Sequence, residues 1–117
     1  MKSRYFKAPK EWRTWLKSNH DKETELWLIF YKKHTRPTLD YESAVEEALC
    51  YGWIDSIIKK IDESRFARKL TPRKNRSKWS PSNKKRVEGL IKSGRMTNVG
   101  LLKIKAAQKK WVLGRNR

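Results

Sequence analysis

Residues 41–58 have the sequence YESAVEEALCYGWIDSII, and this stretch determines the fold class. Its first half places apolar residues at the i, i+3, i+4, i+7 and i+8 spacing of an amphipathic helix, so we predict a helix over residues 41–51. Gly52 stands where a helix commonly ends in a left-handed residue. A pattern typical of a β-strand follows from Ile54 onward. The stretch therefore predicts a helix followed directly by a strand, within an α+β fold.

The strand pattern continues as a hairpin over residues 54–70, because turn-forming residues at 62–64 separate two segments with β character. Upstream, residues 25–33 have the sequence ELWLIFYKK, which is apolar on both faces of a strand. This run predicts a central strand that is covered on both sides. Together the three strands predict a small, mainly antiparallel sheet.

Helix start signals are a proline at position 9 and the pair Ser80-Pro81, while Gly94 is a stop signal. The predicted helices span residues 9–19, 41–51, 81–93 and 97–108. A chain of 117 residues has room for one domain. We assign residues 1–108 to a single α+β domain and interpret residues 109–117, which show no clear period, as a loose basic tail.

Positive charge is concentrated in the second half of the chain. The formal net charge is +18, of which residues 1–58 contribute +1 and residues 59–117 contribute +17. Such a charge attracts anionic polymers or anionic membrane surfaces and repels cationic ligands. Solubility alone requires a net charge of about 2 to 8 on a small domain. The surplus favours an anionic partner, although a proteome that is generally rich in lysine would explain the same composition.

The segment 65–83 combines the residue types that an anion site requires. Arginine binds anionic oxygens through two hydrogen bonds, Trp79 offers a face for stacking, and Ser80 precedes a helix N-terminus that attracts anions. The candidate polyanion-binding residues are Arg68, Arg73, Lys74, Arg76, Lys78, Trp79, Ser80, Lys84 and Arg86. The alternative interpretation is that Trp79 belongs to the core and that solvated basic side chains surround it.

The sequence offers little for catalysis or metal binding. No pattern in the sequence places a histidine close to Cys50, where it could act as a base. His20 and His34 lack the spacing of metal ligands, and the glycines are too scattered for a phosphate loop. We therefore expect no catalytic residue, no metal and no cofactor. A single cysteine, no signal peptide and no apolar run of about 20 residues predict a cytoplasmic protein without a transmembrane segment.

One possible pocket remains beside the end of the 41–51 helix. Trp53 and Asp55 follow that end directly, and with Arg68 they are the residue types that would enclose a small anionic substrate. A core tryptophan and a capping aspartate explain the same residues equally well.

Three stretches carry a combination that is specific to one protein family. They are ELWLIFYKK at 25–33, AVEEALCYGWIDS at 44–56, and a segment that begins with RKLTPR at 68–73 and continues through WS at 79–80 to GRMT at 94–97. In these stretches the chain resembles the bacterial YdeI/OmpD-associated family, also called bacteriocin-protection proteins. The resemblance extends over roughly residues 5–108 and corresponds to the N-terminal part of that family, without its usual C-terminal helical region.

This resemblance implies association with an outer-membrane porin and protection against bacteriocins or cationic antimicrobial peptides, and it implies no catalytic residue. A protein with a charge of +18 repels cationic peptides. Direct capture of such a peptide would therefore have to use the local acidic residues Glu42, Glu46, Glu47 and Asp55.

Three hypotheses about function follow from the sequence. The first is a non-enzymatic binding module whose basic half binds a polyanion, with nucleic acid as the leading candidate. The second is a stress or bacteriocin-protection factor that acts through a protein partner or an anionic lipid surface. The third is an enzyme with a pocket for a small anion near Trp53, Asp55 and Arg68. The sequence does not determine the oligomeric state.

Overall fold

The computed structural model describes residues 2–32, 37–74 and 79–115, with side chains as far as residue 106. In chain order, the elements within these ranges are β1 (Ser3–Tyr5), α1 (Pro9–Asn19), β2 (Leu26–Tyr31), α2 (Tyr41–Cys50), β3 (Trp53–Lys60), β4 (Arg65–Pro72), α3 (Pro81–Lys92) and α4 (Asn98–Arg115). The α+β class predicted from the sequence is confirmed.

The strands form one sheet with the order β1-β2-β4-β3. β1 runs parallel to β2, whereas β4 is antiparallel to both of its neighbours, β2 and β3. The sheet is therefore mainly antiparallel, and the predicted hairpin is the β3–β4 pair. The register of this pair shifts between Asp55 and Ile58, which marks a β-bulge. Ile57 and Ile58, at the bulge, are 54% and 55% exposed.

Helix ends follow the signals in the sequence. α1 and α3 both begin with a proline. The Asp40 side chain accepts a hydrogen bond from the Ser43 backbone at the start of α2, and Ser80 caps α3 in the same way. After α2 the chain turns at Gly52, whose φ of 74° is the left-handed conformation that glycine adopts without strain.

The helices pack against one face of the sheet, which we call the helix face. On β2 this face consists of Leu26, Leu28 and Phe30, which are at most 3% exposed. The alternate residues of β2 are only half-buried. The expectation that this strand is covered on both sides is therefore not met within the described residues. The other face, which we call the open face, carries Tyr5, Trp27, Ile29, Tyr31, Ala67 and Lys69.

Tryptophans join α1 to the sheet inside the core. Trp12 and Trp53 are 0% and 1% exposed, and the rings of Trp15 and Trp53 meet edge to face at 5.6 Å. The Trp12 indole N–H donates to the Ala44 carbonyl, and the Trp53 N–H donates to the His20 carbonyl. Trp53 is thus a core residue whose polar atom already has a partner.

α4 packs closely on the end of α2. The Thr97 hydroxyl donates to the Cys50 carbonyl, and Gly100 lies against the same carbonyl. Ile104, one turn further along α4, is 1% exposed. Cys50 itself is fully buried, and burial raises the pKa of its thiol above the ordinary value.

α4 also continues further than the sequence pattern indicated. Its backbone is helical as far as Arg115, so the predicted helix end at residue 108 is corrected, and residues 109–115 form helix where we expected a loose tail. Proline, which would interrupt a helix, does not occur in this segment. No helix of the described chain is long and apolar enough to cross a membrane.

Two helical glycines offer a matched test of this packing. A Cβ added at Gly89, in α3, meets nothing within 4 Å, whereas one added at Gly100 would stand 2.5 Å from the Cys50 carbonyl oxygen. Both substitutions to alanine gain the same helix propensity. We expect Gly89→Ala to raise the free energy of unfolding by about 0.5–1 kcal/mol and Gly100→Ala to lower it by about 1–3 kcal/mol. Urea unfolding measures both, and equal effects would contradict the close packing of α4 on α2.

Candidate functional site

A cleft of about 680 Å³ opens where β4 ends, on the side of the open face. Its basic lining residues are Lys69, Arg73, Lys74 and Lys103, and hydroxyls of Thr24, Ser56 and Thr71 line it between them. The carboxylate among the described lining residues is Glu25, whose Oε1 lies 3.4 Å from Lys69 Nζ. We call this site the basic cleft. Four cationic groups and one anionic group give it a positive potential.

Gly52 positions two of these cations. Its carbonyl accepts a hydrogen bond from the Arg73 backbone N–H at 2.8 Å, which fixes the chain as it leaves β4. The stem of Lys103 passes directly over Gly52, where a Cβ would stand only 2.6 Å from the Lys103 Cγ. Lys103 Nζ then donates to the Arg73 carbonyl at 2.9 Å. The α2 end, the β4 end and α4 therefore meet at this cleft.

Arg73 is a buried cation. Its guanidinium carbon lies 3.9 Å from the centre of the Trp79 ring, in a cation–π contact. Burial lowers the pKa of Arg73, but an arginine remains protonated in a protein. Trp79 is 8% exposed and packs into the core on its other side. The ring is therefore occupied by Arg73, as in the core interpretation, and is not open to a base.

Arg68 points to the opposite face of the sheet. Its Nη1 donates to Asp55 Oδ2 at 3.2 Å, and its guanidinium lies 4.3 Å from the centre of the Tyr41 ring. The Tyr41 hydroxyl donates to the same carboxylate, and burial and the charge of Asp55 raise the pKa of Tyr41. Asp55 thus accepts hydrogen bonds from both Tyr41 and Arg68, whereas Arg68 Nε is buried with no hydrogen-bond partner among the described residues. Trp53 lies in the core and does not join them in a pocket.

The remaining predicted residues lie around α3. Arg86 forms a two-pronged ion pair with Glu42 at 2.7 and 2.8 Å, which lowers the pKa of Glu42 and raises that of Arg86. Ser80 uses its hydroxyl to cap the helix, and Lys84 is half-buried on α3. Arg76 and Lys78 lie outside the described residues. The structure therefore brings together Arg73 and Lys74 in the basic cleft and places Arg68 and Arg86 elsewhere.

The acidic residues of α2 are paired in the same way. Glu47 is buried and binds Arg13 at 2.7 Å and Arg95 at 2.9 Å, and Arg95 also reaches Glu46 at 3.2 Å. The partners are arginines from α1 and from the segment after α3, and Glu47 lies buried between them.

Two cations of the basic cleft were missed by the sequence reasoning. The position of Lys69 could have been predicted, because it alternates with Leu70 along β4 and so belongs to the face opposite the core. The position of Lys103 could not, since it depends on how α4 crosses Gly52.

We predict that Arg68 contributes to stability through its pair with Asp55. Arg68→Met keeps most of the side-chain volume but removes one of the two groups that bind the Asp55 carboxylate. The free energy of unfolding should fall by about 1–2 kcal/mol. The matched control is Lys74→Met, which changes the same charge at an exposed position and should stay within about 0.5 kcal/mol. Equal values for the two variants in urea unfolding would contradict a structural role for Arg68.

Comparison with known proteins identifies the family to which the chain belongs. No curated protein and no solved structure matches it. One family model, described as a domain of unknown function, DUF8412, matches residues 4–103. This match spans all four strands, the first three helices and the start of α4, and it includes every residue of the basic cleft. The chain therefore belongs to the DUF8412 family.

Proposed function

We propose that the protein is a non-enzymatic binding module that holds a polyanion, with nucleic acid as the ligand, in the basic cleft. The observation that carries this proposal is the convergence of Lys69, Arg73, Lys74 and Lys103 on one cleft with a single carboxylate among its described lining residues. The first three come from the end of β4 and the fourth comes from α4. The proposal keeps the ligand class inferred from the charge of the sequence. It moves the site from the whole 65–86 segment to the end of β4.

The distribution of ion pairs supports this location. On the helix side, Arg68, Arg86 and Arg95 each bind carboxylates, so their charges are locally balanced. In the basic cleft, Lys103 Nζ binds a neutral backbone carbonyl and Lys74 is exposed. Cations that are not balanced locally are available to neutralise phosphates, and release of the counterions condensed on the nucleic acid then drives binding.

The form of the cleft favours an extended ligand. It is an open groove on the surface, whereas sites for small molecules usually enclose most of the ligand. Lysines dominate its rim, and lysine contacts phosphate as a point charge without strict geometry. A repeating phosphate backbone satisfies these requirements better than one small substrate does.

The two other hypotheses receive less support. Capture of a cationic peptide would need free carboxylates, but Glu42, Glu46, Glu47 and Asp55 bind arginines. A substrate pocket at Trp53 would need an accessible indole, and Trp53 is 1% exposed. The resemblance to bacteriocin-protection proteins stays a prediction from the sequence, as does a cytoplasmic location.

We predict that the double variant Lys69→Gln/Lys74→Gln weakens nucleic-acid binding. It removes two cations from the basic cleft without introducing repulsion. The slope of log K against log salt should become shallower by about 0.7 to 0.9 for each lost phosphate contact. Fluorescence anisotropy of a labelled oligonucleotide, measured between low and physiological salt, provides this slope.

The control is Lys85→Gln/Lys92→Gln, which removes the same charge from exposed positions on α3. We expect this control to retain nearly the wild-type slope. If both double variants lose affinity equally, the interaction depends on total charge alone and the proposed site is wrong. If the wild-type protein binds no nucleic acid at low salt, the proposed function is wrong.

A further inference from the structure

The open face of the sheet carries a row of aromatic side chains that the basic cleft does not include. Trp27 and Tyr31 point to this face from β2, and Tyr5 points to it from β1. All three are half-buried, whereas the helix-face residues of β2 are almost completely buried. Aromatic side chains that are grouped on one face of a sheet and remain partly exposed are unusual on a solvated surface, where charged and small polar residues predominate.

The centre of this face is occupied by a small residue. Ala67 of β4 lies opposite Ile29 of β2 and is fully buried under its larger neighbours. The Tyr5 and Tyr31 rings meet edge to face at 4.9 Å, and the Tyr5 hydroxyl donates to the Pro37 carbonyl. These contacts hold the rings in place before any ligand binds, so stacking on them requires little further ordering.

The aromatic row is continuous with the basic cleft. Trp27 lies directly opposite Lys69 in the β2–β4 register, and Lys69 lines the cleft. Side chains at opposite positions of neighbouring strands stand about 5 Å apart. A ligand that binds Lys69 through an anionic group of its backbone can therefore place the adjacent chemical group against the Trp27 ring. At the other end of the row, Arg65 lies opposite Tyr31 and adds a cation that is shared with Asp62.

We propose that the open face stacks the bases of single-stranded nucleic acid while the basic cleft holds its phosphates. This inference rests on the proposed function and adds the class of ligand. Base stacking on aromatic side chains needs an exposed base face, which a single strand offers and a duplex hides within its own stack. Cations beside the aromatic rings, with Lys69 next to Trp27 and Arg65 next to Tyr31, suit a ligand in which each base is joined to a phosphate backbone. RNA and single-stranded DNA share this chemistry.

The first test uses the wild-type protein and compares three single strands of equal backbone charge with a duplex that carries twice that charge. The probes are fluorescein-labelled 12-nucleotide oligouridine, oligothymidine, a 12-unit abasic DNA strand and a 12-base-pair DNA duplex. We expect both base-bearing single strands to bind at least about fivefold more tightly than the abasic strand, because stacking adds to the charge contribution. They should also bind more tightly per phosphate than the duplex. A difference between the oligouridine and the oligothymidine shows which sugar is preferred.

The second test changes the stacking surface. Trp27→Leu keeps an apolar cover over Ala67 but removes the aromatic face, and Trp27→Phe retains a ring. We expect Trp27→Leu to lower affinity for the base-bearing strands by at least about fivefold and Trp27→Phe to restore part of it. Affinity for the abasic strand should stay unchanged for both. Tyr41→Leu removes an exposed aromatic ring on the helix side and is the control.

Each variant is first checked by thermal unfolding. If Trp27→Leu does not fold, Tyr31→Leu provides the same comparison at the other end of the row. The inference is overturned if the abasic strand binds as tightly as the base-bearing strands, or if the duplex binds more tightly per phosphate than they do, while Lys69→Gln/Lys74→Gln still weakens binding. In that case the proposed function stands without stacking. Binding to phosphatidylglycerol vesicles, with no binding to any oligonucleotide, would overturn both proposals.

Discussion

Carboxylate groups on the helix side of the sheet are already bound to arginines, and the rest of the structure depends on this pairing. The pairs are Glu42 with Arg86, Glu46 and Glu47 with Arg95, Glu47 with Arg13, and Asp55 with Arg68. Pairs that are largely exposed add little to stability. Glu47 is different, because loss of either partner would leave charge in a buried position. The pairing balances these arginines locally, whereas the four cations of the basic cleft have one carboxylate among the described lining residues.

The two sides are connected through the end of α2. Cys50 offers its carbonyl to Thr97, and this contact fixes the start of α4. Gly52 then lets the Lys103 stem pass, and its own carbonyl holds Arg73. Packing of α4 on α2 is therefore also what assembles the basic cleft. A substitution that shifts α4 would disturb the site even though it touches no residue that binds a ligand.

The sequence predicted the local structure well because its signals are local. The cap at Ser80, the first-turn prolines and the apolar spacing of α2 depend on neighbouring residues, and each lies where it was expected. Pairing between distant residues had no such signal. The sequence grouped Arg68 with Asp55 as a possible pocket and not as an ion pair. Nothing in it paired Arg68 with Tyr41 or Arg73 with Trp79, because these contacts form only when the sheet and helices come together.

The β2 strand shows why the candidate site was only partly predicted. A strand that is apolar on both faces is typical of a buried position, so Trp27 and Tyr31 were assigned to the core. A half-buried aromatic face has the same composition as a fully buried one, and only the structure distinguishes them.

Amide chemical shifts of the isotope-labelled protein, followed during titration with a single-stranded oligonucleotide, test the account most directly. We predict shifts in β1, β2, β4 and around Arg73 and Lys103, with α2 and α3 unchanged. Shifts concentrated on α2 and α3 would contradict it.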